Sequence, residues 1–197
     1  MQKYLVPVLF LVAVLLLNAG FSQPVKYNVD KSHSNVGFAV DHMVITTVYG
    51  KFNEYEIDLT LDLANAANSS VTARIHVPSI DTNEPKRDNH LRSGDFFDAE
   101  NHPEVLFVSK KVEKTDTGYI AHGDLTIRGV TKQIALPFIV KGPVTDSWGN
   151  NRVGVEAKLT INRQEFGVKW NKVLDTGGLV AGNDVDIEIQ AQFIAAK

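Results

Sequence analysis

Alternation of apolar and polar residues, repeated in segment after segment, is the feature that most limits how this chain can fold. Val153, Val155, Ala157, Leu159 and Ile161 form one unbroken row, and Val185, Ile187, Ile189, Ala191 and Phe193 form another. Residues two apart share a face in an extended strand, so each row reads as the dry side of a β-strand whose other side is wet. The pattern also runs through Val36, Phe38 and Val40, through Tyr55, Ile57, Leu59 and Leu61, and through Val71, Ala73, Ile75 and Val77. It continues in segments 105–112, 119–127 and 134–140. Turn-forming stretches separate the strands, among them Asp116-Thr-Gly, Arg128-Gly129 and Trp148-Gly-Asn-Asn. Eight such strands must close into a barrel or stack as a sandwich. Consecutive hairpins favour the first, an all-β, eight-stranded antiparallel up-and-down barrel.

The interior of a barrel with this strand number is just wide enough to be filled by side chains or to hold one small ligand. Small inward residues such as Gly50, Ala73, Ala121, Gly123, Ala157 and Ala191 leave room. A solid core built by alternating large and small residues has the same signature, so alternation leaves both open.

From residue 79 to 103 the alternation stops. Excursions of this length inside a compact domain are uncommon and often functional. Asp81 or Thr82 can cap a short helix across about residues 82–94, with Pro85 in its first turn and Gly94 at its end. Phe96 and Phe97 follow side by side and need apolar surface to cover, either the barrel mouth or a satellite core under a static loop. Residues 170–183, with Gly177, Gly178 and Gly182, form a second long connection that can border the same entrance.

At the N-terminus, Lys3 precedes an apolar run from Leu5 to Leu17 that is too short to span a bilayer. Gly20 and Ser22 suit cleavage before Gln23, so residues 1–22 read as a secretory signal peptide and residues 23–197 as one domain. There is no cysteine. A barrel of about 175 residues must therefore rest on core burial alone, which a domain of that size permits. The chain carries 20 basic and 23 acidic residues, without the basic excess that nucleic acid or an anionic membrane selects.

Neither a Gly-x-Ser-x-Gly elbow nor a Gly-rich phosphate loop in a strand–turn–helix setting occurs, and no catalytic residue is assigned. No two of the six histidines are spaced as His-x-His or His-x-x-x-His, so no metal site is expected. His76 and His122 have outward parity. His42 shares the parity of Val36, Phe38 and Val40, and Arg163 that of Leu159 and Ile161. Each therefore ends an inward row, where it meets either a loop carbonyl or a ligand's head group, and a charge at Arg163 needs a partner. His33 flanks the first strand, and Arg87 and His90 lie on the expected helix, with the same two readings.

Four motifs point to a family. Tyr27-Asn-Val-Asp-Lys-Ser-His33-Ser34-Asn-Val-Gly-Phe38-Ala-Val-Asp-His42-Met43 comes first, then Phe96-Phe97-Asp98 with His102-Pro103 and Phe107-Val-Ser109. Gly123-Asp-Leu-Thr-Ile-Arg-Gly129-Val-Thr131 and Arg163-Gln-Glu-Phe166-Gly167 follow in order. Together they resemble the YceI-like, polyisoprenoid-binding family from about residue 27 to the C-terminus.

The resemblance implies a lipocalin-like barrel, periplasmic or else secreted, whose hollow interior binds, stores or shuttles an isoprenoid lipid such as a polyprenyl chain or a quinone tail. On that basis the ligand is expected against Val36, Phe38, Val40 and His42 of the first row. Phe52, Phe107, Phe138 and Ala157 are expected elsewhere on the wall, with Phe96, Phe97 and Trp170 at the mouth. His33, Arg87, His90 and Arg163 are the head-group candidates. The bound lipid or quinone is the one small molecule expected, without a further cofactor, nucleic acid or stable membrane insertion, and a homodimer is left open. Two other readings compete: an enzyme that modifies the bound isoprenoid or quinone through His33, His42 or Asp98, and a solid-core envelope stress protein.

Overall fold

The computed structural model describes residues 23–173, 175 and 177–197, so the export segment expected at residues 1–22 lies outside the described residues. Ten strand segments form one antiparallel sheet. They are β1 (Val25–His42), β2 (Thr46–Phe52), β3 (Tyr55–Leu61), β4 (Ser70–His76) and β5 (Ile80–Asp81), then β6 (Glu104–Lys114), β7 (Tyr119–Ile127), β8 (Val130–Thr145), β9 (Asn151–Asn162) and β10 (Ala181–Ala195). A pairing of β10 with β1 closes the sheet on itself.

Two segments do not add to the count around the barrel. β2 and β3 lie end to end along β1, β2 opposite residues 36–42 and β3 opposite residues 25–28. β4 and β5 continue each other in the same way, β4 along β3 and β5 along β2. The result is the eight-stranded up-and-down barrel that the alternation predicts. Beneath the apolar rows lie two adjoining core clusters. One is built around Phe107, Ala121, Phe138 and Ala157, the other around Tyr27, Tyr55, Val153 and Phe193.

Bulges decide which residues of a row face inward. On β1, Asp30 pairs with Gln192 and Asn35 with Gln190, so residues 31–34 stand opposite Ala191 alone. The excess is odd, which moves the inward parity from Tyr27 and Val29 to Val36, Phe38 and Val40. On β6 a shift between Ser109 and Lys111 does the same, from Val105 and Phe107 to Val112.

The second and third barrel strands both break at one level, at Asn53-Glu54 and at the 3-10 turn Val77–Ser79. Past that level β5 reaches only Lys51 and Phe52, and the outer edge of residues 46–50 of β2 has no strand beside it among the described residues. The single α-helix of the described residues, α1 (Pro85–Arg92), follows β5 and packs against it. The helix is shorter than expected and capped differently. Glu84 is its N-cap, accepting from the Lys86 N–H at 3.1 Å, and Ser93 is its C-cap. Thr82 is committed elsewhere, because its N–H and hydroxyl both donate to Asp88 Oδ1, at 2.9 and 2.5 Å. Asn83 then turns the chain with φ of 61° before the helix can begin.

Candidate functional site

The inward rows enclose a cavity of about 230 Å³. Its wall comes from nearly every strand, and its end from Leu91 of α1, Phe96 and Phe97 of the following loop, and Phe166 and Val168 after β9. Among the residues lining it, Arg163 is the one that is not apolar. An apolar enclosure of this kind holds water poorly and takes hydrocarbon in its place.

Nine of the expected ligand contacts border this space: Val36, Phe38, Val40 and Phe52, Phe107, Phe138 and Ala157, and the Phe96–Phe97 pair. Gly50 faces Phe38 across the β1–β2 ladder, and a Cβ there would collide with the outer edge of the Phe38 ring, so the glycine is what makes room for that ring. From Phe38 a chain of ring contacts crosses to the cover, Phe38 to Phe52 at 5.8 Å and Phe52 to Phe97 at 6.1 Å. Phe96 and Phe97 thus cover the cavity while Phe96 is itself buried in the main core. The two readings open at the sequence level describe one arrangement.

His42 and Trp170 do not border the cavity. His42 ends β1 opposite Ala181. Trp170 backs the cover from outside, its ring 5.1 Å from Phe96 and 5.1 Å from His90.

The head-group candidates separate sharply. His33 sits on the four-residue bulge of β1 with its side chain 63% exposed and Nδ1 3.0 Å from Asp30, away from the cavity. The bulge itself puts it there, since residues 31–34 leave the ladder. Arg87 turns back on its own segment, donating to the Thr82 hydroxyl and carbonyl at 2.7 and 2.8 Å. His90 pairs with Asp95 at 2.9 Å and packs its ring edge on Phe96 outside the cover.

Arg163 alone reaches the cavity, and it is 6% exposed. Its Nε donates to the Gly182 carbonyl at 2.7 Å, Nη1 to Val168 and Trp170 at 2.8 Å each, and Nη2 to Ala181 at 3.2 Å. The guanidinium carbon stands 6.0 Å over the Phe96 ring. No carboxylate pairs with it among the described residues. Burial pushes its pKa down, yet a guanidinium starts so high that it stays cationic near neutrality. A guanidinium has five N–H donors, and these four bonds leave one of them for another acceptor.

Three further arginines fasten the same end to backbone carbonyls. Arg128 donates to Phe96, Gly94 and Gly167, Arg92 to Pro78 and Ile80, and Arg87 to Thr82. Leu91 and Val168 were not singled out by the sequence, and Arg128 stood there as a turn residue and motif member with no role at the cover. Leu91 lies on the short helix and Val168 on a connection without period, and adjacency to the Phe96 and Arg163 motifs is the signal that could have found them.

The YceI-like domain model matches residues 27–193. A UPF0312 protein of Photorhabdus laumondii is 38% identical over 157 residues, covering 79% of this chain and 82% of its own. The crystal structure of the YceI protein of Campylobacter jejuni superposes with a TM-score of 0.68 at 30% identity, covering 87% of this chain and 98% of that one. A polyisoprenoid binding domain from Saccharophagus degradans, implicated in plant cell wall breakdown, has a TM-score of 0.64 at 14% identity, with 87% and 99% covered. At that identity the likeness is one of fold.

Proposed function

This chain belongs to the YceI-like family, and from that premise we propose that it binds a single slender apolar molecule inside the barrel, an isoprenoid-type lipid such as a polyprenyl chain or a quinone tail, and stores or carries it. The observation that carries the reading is the cavity lining, apolar throughout except for one buried arginine at the covered end. The polyisoprenoid-binding domain of Saccharophagus degradans, which shares the fold, supports the same ligand class. The proposed setting is the periplasm, with secretion the alternative.

Each methylene taken out of water contributes about 0.8 kcal/mol. Ordering the chain and losing its free motion costs several kcal/mol, so affinity falls well short of the sum. Discrimination of chain length should be weak, because one methylene separates ligands by only about 1–3 kcal/mol. The volume, about 230 Å³, lies just under the usual range of small-molecule pockets and favours a thin chain over a bulky ring system. Within this reading the free N–H of Arg163 is the contact for a head-group oxygen, and His33, Arg87 and His90 are not head-group contacts.

The test is mass spectrometry of lipids extracted from protein purified out of its native compartment, beside a titration with prenyl alcohols and prenyl phosphates of increasing length. A co-purified prenyl lipid and saturable binding are expected. Absence of both, in protein shown to be folded, overturns the reading.

A further inference from the structure

The β1–β2 hairpin carries a feature that a cavity ligand does not use. Its turn is closed by the Ile45 N–H donating to the His42 carbonyl at 3.2 Å, and the two central residues, Met43 and Val44, have φ of 56° and 64°. Asn-Gly adopts such a turn without steric cost, whereas a β-branched residue there is an outlier. The β7–β8 hairpin makes a turn of the same hand with Arg128 and Gly129, at 48° and 73°. Strain at Val44 therefore holds a bulky apolar side chain where a glycine fits freely.

That side chain points to solvent. Val44 is 74% exposed, Ile45 82% and Met43 37%. The Met43 N–H donates to the Val180 carbonyl at 3.0 Å and the Val180 N–H to the Lys172 carbonyl at 2.9 Å, which lays Lys172 and Val180 alongside the hairpin. Val173, 66% exposed and bridged to Leu179, adds a fourth apolar side chain to the same rim. The rim adjoins the cavity: Val40 and Ala181 line it, and Ala181 is the cross-strand partner of His42. Beside the hairpin runs the stretch of β2 that has no outer neighbour among the described residues.

We propose that Met43, Val44 and Ile45, with Val173, form an apolar tip that inserts shallowly and reversibly into the interface of a lipid bilayer and holds the cavity's covered end against it. The purpose assigned to this contact, direct transfer of an apolar molecule between bilayer and cavity, rests on the ligand reading above. The contact itself does not. It is hydrophobic in kind, because the chain's net charge is −3 and would be repelled by an anionic bilayer. A second copy of the chain is a poorer occupant, since four side chains fall far short of the about 800 Å² per partner of a standard interface.

The experiment is co-sedimentation of the purified chain with phosphatidylcholine vesicles, with and without added phosphatidylglycerol, at low and high salt. Binding independent of both variables is expected, together with a blue shift of tryptophan emission in Ile45→Trp on vesicle addition. Val44→Asp with Ile45→Asp should lower partitioning about 10- to 100-fold. The double change Met43→Asn and Val44→Gly relieves the turn, so it should leave the melting temperature equal or higher and still weaken partitioning at least severalfold, which keeps misfolding out of the result. Unchanged partitioning in these variants overturns the proposal. So does binding that needs anionic lipid and vanishes in salt, or a concentration-dependent dimer that the aspartates dissolve. Vesicle binding without prenyl uptake would leave the tip standing and remove the ligand reading, whereas prenyl uptake without vesicle binding does the reverse.

Discussion

Ala157 and Phe96 both border the cavity, but they are held there by different means. Ala157 on β9 is flanked by Phe138 on β8 and Ile189 on β10, and each neighbour is tied by backbone ladder bonds that every residue but proline can make. Phe96 sits in a loop with no ladder, its carbonyl held by Arg128 Nη1 at 2.8 Å and its ring lying under Arg163. The wall spreads its hydrogen bonds over eight strands. The cover concentrates its own on Arg87, Arg92, Arg128 and Arg163, four of the six arginines in the chain. A charged donor contributes about 1.5–3 kcal/mol per bond, roughly twice a neutral pair, so a few cations can hold down a segment that no sheet supports. The same economy makes the cover the part that one substitution can release.

The largest effect should come from Arg163→Ala. It strips donors from the carbonyls of Val168, Trp170 and Gly182, while the Ala181 carbonyl keeps its bond from Asn171 Nδ2 at 2.9 Å, and should lower stability by about 3–5 kcal/mol, at about 1–3 kcal/mol for each acceptor left buried and unpaired. Urea unfolding measures it. A loss below about 1 kcal/mol would mean that the loop finds other partners, and the contrast between wall and cover would weaken.

Next in size is a change to the wall. Ala157→Trp pushes an indole into the cavity and should weaken prenyl binding by at least about 100-fold while costing the lipid-free protein less than about 1 kcal/mol. In a solid core the same substitution overpacks and costs about 1–3 kcal/mol or more. Unfolding of lipid-stripped protein beside a binding titration separates the two. Retained binding with a large stability loss would mean that the wall is packed around no usable space.

Arg128→Ala should do less. It frees the Phe96, Gly94 and Gly167 carbonyls, costs about 1–2 kcal/mol, and should speed release of a bound prenyl ligand about tenfold, because 1.4 kcal/mol is a factor of ten. Stopped-flow release from wild type and variant is the measurement. Equal rates would show that ligand leaves by a route the cover does not guard.

How far the sequence could be read follows the same division. The rows Val153 to Ile161 on β9 and Val185 to Phe193 on β10 were plain, since every inward position is apolar and every residue between is polar or glycine. Thr46–Phe52 was not counted as a strand although Val48, Gly50 and Phe52 share one face, because a glycine stands in the row and Tyr49, 74% exposed, puts an aromatic on the wet side. The bulges at residues 31–34 and at Lys110 could not be located from local pattern, for each is defined by what stands across the ladder. Parity carried Arg163 to the end of an inward row. It could not supply the four carbonyls, which come from a connection whose path the sequence leaves free.

The smallest effect concerns the one arginine of the wall that pairs with carboxylates and lies partly buried. Arg152 donates from Nη1 to Asp30 at 2.7 Å and from Nε to Asp146 at 2.6 Å, all three side chains being at most 16% exposed. The Ser32 hydroxyl bond and then Arg152 hold the Asp30 carboxyl well below its ordinary pKa, and Arg152 does the same for Asp146. A carboxyl whose folded pKa is depressed adds stability at pH values above its unfolded pKa, about 3.9, and that contribution is lost as pH falls from there toward the folded value. Arg152→Gln should therefore be less stable than wild type near pH 7, and the gap should begin to narrow as pH falls below about 4, being smaller at pH 3 than at pH 7 and narrowing further toward the much lower folded pKa, since protonation takes from the wild type what the variant already lacks. Bonds from arginine to backbone carbonyl have no acceptor that titrates in this range. The corresponding gap for Arg128→Ala should stay constant from pH 7 to 3. Urea unfolding of the three proteins at both pH values gives the comparison, and a pH-independent gap for Arg152→Gln would show that the clamp on the wall stabilises through packing of the arginine stem and not through its charge.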